Sequence, residues 1–212
     1  VCRATADPAL PFPREPMSKL IFPAAPAPSL PIVGSDDRVP VQRVFCVGRN
    51  YEEHAREMGQ QVDREKPFYF TKSPSTLVHS GATVAYPPET KNYHHEMELV
   101  IAIGKPGFRI PAARAHEHIY GYASGLDMTR RDLQRMMGDQ KKPWEIGKSF
   151  DHSAPIGPIH RVAETGHFTQ GSIWLKVNGV TKQNANLNQM IWSVAEQIVK
   201  LSEACELFPG DI

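Results

Sequence analysis

The chain has 212 residues, with 24 Lys and Arg against 23 Asp and Glu, a net charge of +1 at pH 7. That length holds one domain with a sizeable core, and the near-neutral balance excludes a nucleic-acid footprint and a polybasic membrane patch. No apolar run reaches a membrane span, and Cys2, Cys46 and Cys205 lack CxxC spacing, which excludes a zinc ribbon and a disulfide framework and points to a reducing, cytoplasmic compartment.

In chain order, residues 1–16 carry prolines without periodicity and read as an extension ahead of Met17. Residues 17–40 form a Pro-rich lead-in, expected to lie extended on the domain. The domain proper is expected over 41–212. Val41 to Val47 reads as a strand broken by Gly48. Asn50 is an N-cap for a short helix from Glu52 to Met58, with Gly59 at its C′ position. Phe68 to Thr71 is a short strand, Ser73-Pro74-Ser75 a turn, and Thr83 to Tyr86 a further strand stopped by Pro87-Pro88.

Leu99 to Ile103 is apolar and β-branched up to Gly104, the signature of a buried strand. Pro111 starts a helix carrying Ala112, Ala113 and Ala115. Tyr120 to Leu126 is another strand, and Asp127 or Thr129 caps a helix through Arg131, Leu133 and Met136. Ile173 to Val177, Asn178-Gly179 and Val180 to Gln183 form a hairpin with a type I′ turn. Ser193 starts a helix whose Val194, Ile198 and Leu201 share one face. Many short strands, few helices and no βαβ repeat define an α+β fold.

Several residues carry chemistry. Glu96 and Glu98 stand at i and i+2, hence on one strand face, and Asp127 ends the next strand. Three acids at strand ends suit a hard divalent cation such as Mg²⁺. The competing reading is a solvated strand face with Asp127 as a helix cap. His54 and Glu57, three apart, share a helix face. A carboxylate there would fix the imidazole tautomer and leave the other nitrogen to take a proton from water. Glu53 and Arg56 compete as local charge partners. Lys148, between Gly147 and Ser149, suits an oxyanion or enolate if buried; otherwise it is an exposed loop lysine. Arg131 and Gln134 would hold a substrate carboxylate, or form a solvated helix face. His94 and His95 suit a softer metal, but adjacent strand residues point to opposite faces. His116 and His118 read as surface or packing residues. No phosphate-binding Gly loop and no GxSxG elbow occur.

The order of these blocks is distinctive. Val47-Gly48-Arg49-Asn50-Tyr51 with His54 and Glu57, then His95-Glu96-x-Glu98-Leu99, then Leu126-Asp127-Met128-Thr129-x-Arg131-Asp132-x-Gln134, then Gly147-Lys148-Ser149-Phe150 resemble the fumarylacetoacetate hydrolase family over about residues 20–212. The Pro-rich lead-in and Arg130-Arg131-Asp132 are most similar to its bacterial fumarylpyruvate (maleylpyruvate) hydrolases of gentisate breakdown. The resemblance implies a mixed β-roll with short peripheral helices and a homodimer. It implies a Mg²⁺ or Mn²⁺ site of Glu96, Glu98 and Asp127. His54 would be the general base, Glu57 its orienting partner, Lys148 the group polarising a substrate oxygen, and Arg131 and Gln134 substrate-binding residues. The implied reaction is hydrolytic C–C cleavage of an acylpyruvate, fumarylpyruvate giving fumarate and pyruvate. Alternatives within the resemblance are an oxaloacetate decarboxylase or an isomerase-decarboxylase of hydroxylated dienedioates; outside it stands a metal-binding pseudoenzyme. The family pattern continues beyond a Gly-Asp-Ile/Leu turn into a strand and a Thr-Gly-Thr-Pro loop. Because this chain ends at Ile212, the 41–212 domain is expected to lack its C-terminal strands.

Overall fold

A computed structural model describes residues 20–51, 64 and 66–212. Strands β1 (Ser29–Pro31) and β2 (Arg38–Pro40) pair antiparallel. Leu30, Ile32 and Val39 bury against the main core. The lead-in was expected to be unpatterned, yet its described part forms a core-building hairpin. Proline is tolerated there because each strand of a two-stranded ribbon is an edge. The expected Val41–Val47 strand forms only as β3 (Val44–Val47), because Val41 and Gln42 donate their N–H groups to Pro28 and Gly210 carbonyls outside any ladder.

β3 pairs antiparallel with β4 (Tyr69–Lys72). A 3₁₀ turn, Pro74–Thr76, capped by Ser73, leads into β5 (Leu77–His79). The strand expected over Thr83 to Tyr86 does not form. Its residues stay exposed except half-buried Val84, so it has no apolar face to bury. The proposed helix 52–58 and its Gly59 stop lie outside the described residues. Asn50 uses its carboxamide elsewhere: Nδ2 donates to Trp192 O at 3.0 Å and Oδ1 accepts from Trp192 N at 2.7 Å.

The central elements are β6 (Tyr93–His94), β7 (Met97–Ile103), β8 (Ile119–Leu126) and β9 (Thr129–Arg130). The helix expected after Pro111 is a 3₁₀ segment, Ala112–His118. β7 runs antiparallel to β8 with Met97 opposite Leu126 and Glu98 opposite Gly125. The period of two sorts their side chains. Val100, Ala102 and Ala123 face a core shared with Val44, Ala154 and Ile156. Leu99, Ile101, Ile103 and Tyr122 face a second core.

β10 (Ala154–Ile156) joins β8 antiparallel and β5 parallel, and β11 (His160–Arg161) also pairs with β8, so the sheet is mixed. β12 (Ser172–Val177) and β13 (Val180–Asn186) form the predicted hairpin. Asn178 (φ 50°) and Gly179 (φ 79°) supply the two positive-φ positions of a type I′ turn. The Val194–Ala204 helix closes the second core with Val194 and Ile198. Mixed sheets with a few short helices make the fold α+β. Among the described residues no helix is long and apolar enough to cross a membrane.

Ser193 and Glu196 form a reciprocal capping box at the start of that last helix. Ser193→Ala should lower unfolding free energy by about 1 kcal/mol, read as a lower urea midpoint with unchanged slope.

Candidate active site

The β7–β8 register brings the acids together. With Met97 opposite Leu126, the next residues out are Glu96 and Asp127, and Asp127 N donates to Glu96 O at 2.8 Å. Glu98 shares the strand face of Val100 and Ala102, so it points toward the same side as β3 and β4. Glu96 and Asp127 are both buried.

Lys148 closes the cluster from the short helix Glu145–Lys148. It is 2 % exposed, which excludes the loop-lysine reading. Its ammonium has three protons, and all are used: on Glu96 Oε2 at 2.8 Å, Asp127 Oδ2 at 2.6 Å and Thr129 Oγ1 at 2.8 Å. Gly147 makes this reach possible. A Cβ there would stand 2.7 Å from Gln134 N and 2.9 Å from Gln134 Cα, so only glycine lets the two short helices approach this closely.

A second buried lysine, Lys72, was not anticipated from the sequence. Its ammonium donates to Met128 O at 3.1 Å, Ser153 Oγ at 3.1 Å and Lys148 O. Nζ also lies 2.9 Å from Asp127 Oδ1, a charge contact without hydrogen-bond geometry, since its three protons point elsewhere. The signal was present in β4. Phe70 and Lys72 are two apart and both buried, so alternation places the lysine on the core face.

Arg131 and Gln134 are buried, not part of a solvated helix face. The Arg131 guanidinium donates to Glu96 Oε1 and to Gln134 Oε1. Their helix, Arg131–Asp139, is not capped by Asp127 or Thr129. The Asp127 carboxylate is held by lysines, and the Thr129 hydroxyl bonds Asp127 O and Lys148. Asp132 organises the helix start instead, accepting from Thr90, Lys91 N and Leu133 N. His94 Nε2 bonds Asn92 Oδ1 at 2.8 Å. Burial and the Arg131 charge lower its pKa. His54 and Glu57 lie outside the described residues.

These groups surround a cavity of about 330 Å³, lined by Glu96, Glu98, Asp127, Arg131, Gln134 and Lys148, and bordered by Arg49, Tyr51 and β13. A smaller, mostly apolar cavity of about 150 Å³ meets it at Glu98 and Asp127. The chemistry belongs to the larger one, because the charged groups converge there. Burial, reinforced by the like charges of Glu96 and Asp127, pushes the Glu98 carboxyl up to about 8. For Lys148, burial pulls the pKa down, but Asp127 and Glu96 more than offset it, and the ammonium is held charged. At Lys72 burial wins over Asp127, and its pKa falls.

The donor set fits a hard divalent cation. Three carboxylates meet at one cavity, and Glu98 accepts no hydrogen bond from a described residue. Its raised pKa records a shortage of positive charge that a cation would relieve. As placed, however, the Lys148 ammonium separates Glu96 from Asp127. Among the described residues, accordingly, no three His, Cys, Asp or Glu side chains stand close enough together to hold a metal ion.

The α+β fold places buried acids at adjacent strand ends, countered by lysines beside a polar cavity. Residues 43–212 match the family described as fumarylacetoacetate (FAA) hydrolase C-terminal, and the chain belongs to that family. It is 56% identical over 160 residues to the fumarylpyruvate hydrolase of Ralstonia sp, covering 73% of this chain and 81% of that protein. The crystal structure of fumarylpyruvate hydrolase from Pseudomonas aeruginosa in complex with Mn²⁺ and pyruvate superposes with a TM-score of 0.88 at 52% identity, covering 91% of this chain and 84% of that one. A mitochondrial oxaloacetate decarboxylase of Dictyostelium discoideum is 36% identical over 172 residues, 81% of this chain and 78% of that protein.

Two substitutions test the cluster. Gly147→Ala should cost about 2 kcal/mol by overpacking, and Lys72→Met about 3 kcal/mol by leaving Asp127 short of buried counter-charge. Guanidinium unfolding measures both; a loss under about 0.5 kcal/mol for either would contradict the stated role.

Proposed function

We propose that this protein hydrolyses acylpyruvates by C–C cleavage, with fumarylpyruvate as substrate and fumarate and pyruvate as products. The observation that carries this reading is the meeting of Glu96, Glu98 and Asp127 at one cavity with the Lys148 ammonium among them. The similarity to the Ralstonia and Pseudomonas fumarylpyruvate hydrolases supports it. A Mg²⁺ or Mn²⁺ ion, held by Glu96, Glu98 and Asp127, would supply a Lewis acid for the oxygens of the pyruvoyl end.

The protein's own residues do the rest. Arg131, braced by Gln134, presents its guanidinium beside Glu96 to the substrate's pyruvoyl carboxylate. His54, oriented by Glu57, takes a proton from the water that attacks the distal carbonyl. The C–C bond then breaks, and its electron pair leaves on the pyruvate fragment as an enolate, which is protonated to pyruvate. Lys148 places fixed positive charge where the enolate oxygen develops. The reading extends to a homodimer working in the cytoplasm on products of gentisate breakdown. It rests for that on family resemblance and on Cys46 and Cys205 being unpaired thiols.

A second reading, oxaloacetate decarboxylation, is favoured by the relative in Dictyostelium. It uses the same enolate but no attacking water. In the fumarylpyruvate assay, loss of enol absorbance should require Mg²⁺ or Mn²⁺ and stop with EDTA. Asp127→Asn should slow it by about 100-fold or more. His54→Ala should abolish hydrolysis while sparing any decarboxylation of oxaloacetate. Carbon dioxide release without acylpyruvate cleavage would instead establish the second reading.

A further inference from the structure

The proposed substrate carries a carboxylate at each end. Arg131 serves the pyruvoyl end, and the cations that the other described residues bring to it are engaged: Arg49, also on the cavity wall, lies 5.3 Å over the Phe68 ring and has a partner besides. Lys148 has spent its three protons on Glu96, Asp127 and Thr129, and Lys72 has spent its own on Met128, Ser153 and the Lys148 carbonyl. His94 is held by Asn92, its Nε2 lying 2.8 Å from Asn92 Oδ1. A cation facing the distal carboxylate would favour a dicarboxylic substrate over one with an uncharged end, so selectivity calls for a further cation on the cavity wall.

The hairpin supplies one. Lys182 borders the cavity beside Gln183 and Asn184, and its ammonium makes no hydrogen bond or ion pair with any described residue. Its position is set by an irregularity. Leu175 stands opposite Gln183 but Lys176 stands opposite Thr181, so the ladder slips and Lys182 is left without a cross-strand partner. Such a bulge disrupts the ladder locally and leaves its extra residue unpaired. The bulge is also anchored to the site, because Gln183 Oε1 accepts from Met97 N at 2.7 Å, between Glu96 and Glu98 in sequence. The asparagine-glycine turn and this anchor hold Lys182 at the cavity's exposed rim, where a substrate's outer end must lie if its pyruvoyl end is at the buried carboxylates.

We infer that Lys182 is the specificity residue for the distal carboxylate, selecting dicarboxylic acylpyruvates over those ending in an uncharged group. This rests on the acylpyruvate reading. The test compares fumarylpyruvate with acetylpyruvate, which ends in a methyl group, using the full chain with Mn²⁺. Lys182→Gln should lower the ratio of the two kcat/KM values about tenfold, chiefly through KM for fumarylpyruvate, and Lys182→Arg should retain most of it. Calorimetry gives a readout without turnover. The unsubstituted protein should bind fumarate more tightly than crotonate, which has a methyl in place of one carboxylate, and Lys182→Gln should erase the difference. A selectivity ratio unchanged within twofold, or an equal loss on both substrates, would overturn the assignment and leave the acylpyruvate reading standing. An unsubstituted protein inactive on both substrates would overturn that reading and this assignment together.

Discussion

The Lys148 ammonium between Glu96 and Asp127 is the contact on which the rest of the site depends. Burying an ionised carboxylate costs several kcal/mol unless charge and hydrogen bonds return it, and here two are buried within reach of each other. One ammonium answers both and donates a third bond to Thr129. Much of the surrounding architecture serves that placement. The β7–β8 register sets Glu96 beside Asp127, Gly147 lets one short helix lie against another, and Lys72 holds the Lys148 carbonyl while facing Asp127. Arg131 then holds the other oxygen of Glu96.

The arrangement is balanced unevenly. Glu96 and Asp127 are matched by cations, whereas Glu98 faces the cavity with only repulsion from its two acidic neighbours and distant help from Lys148. A site built for stability alone would have an apolar residue there, since a carboxyl raised to about 8 contributes nothing to folding that a methyl group could not. The same imbalance suits the proposed enolate chemistry, in which the groups that neutralise acids in the resting protein would be those that meet oxyanion charge during reaction.

How much was legible in the sequence followed the range of each interaction. Hairpin β12–β13, the Ser193 cap and the strand carrying Glu98 were readable, because turn chemistry, capping and alternation act within a few residues. The pairing of Asp127 with Glu96 was suggested only by both lying at strand ends; the register that joins them is a long-range fact. The cap predicted at Asp127 failed because tertiary charge pairing competed with a local preference and won. Lys72 shows the opposite case. Its alternation with Phe70 was a local signal, but a lysine on a short strand reads as exposed until the Asp127 carboxylate across the fold is known to need it. The Pro-rich lead-in misled in the same way: composition suggested an unpatterned segment, and three apolar residues, Leu30, Ile32 and Val39, decided otherwise by joining the core.

Hydrolysis and decarboxylation divide at the residues outside this cluster. Both reactions expel the enolate of pyruvate, so both need positive charge at the pyruvoyl oxygens, and on the proposed reading Lys148 and a cation held by the three acids would serve either. They differ in what happens at the other end of the scissile bond. Hydrolysis requires a water held and deprotonated next to a carbonyl, and room for an acyl group beyond it; decarboxylation requires neither. A relative 36% identical that is named an oxaloacetate decarboxylase therefore does not conflict with one 56% identical named a fumarylpyruvate hydrolase. On the proposed reading a common floor would fix the leaving group, and the rim of the cavity would decide what it leaves from. In this chain that rim includes β13, whose slipped ladder, anchored at Met97, leaves Lys182 unpaired on the cavity wall.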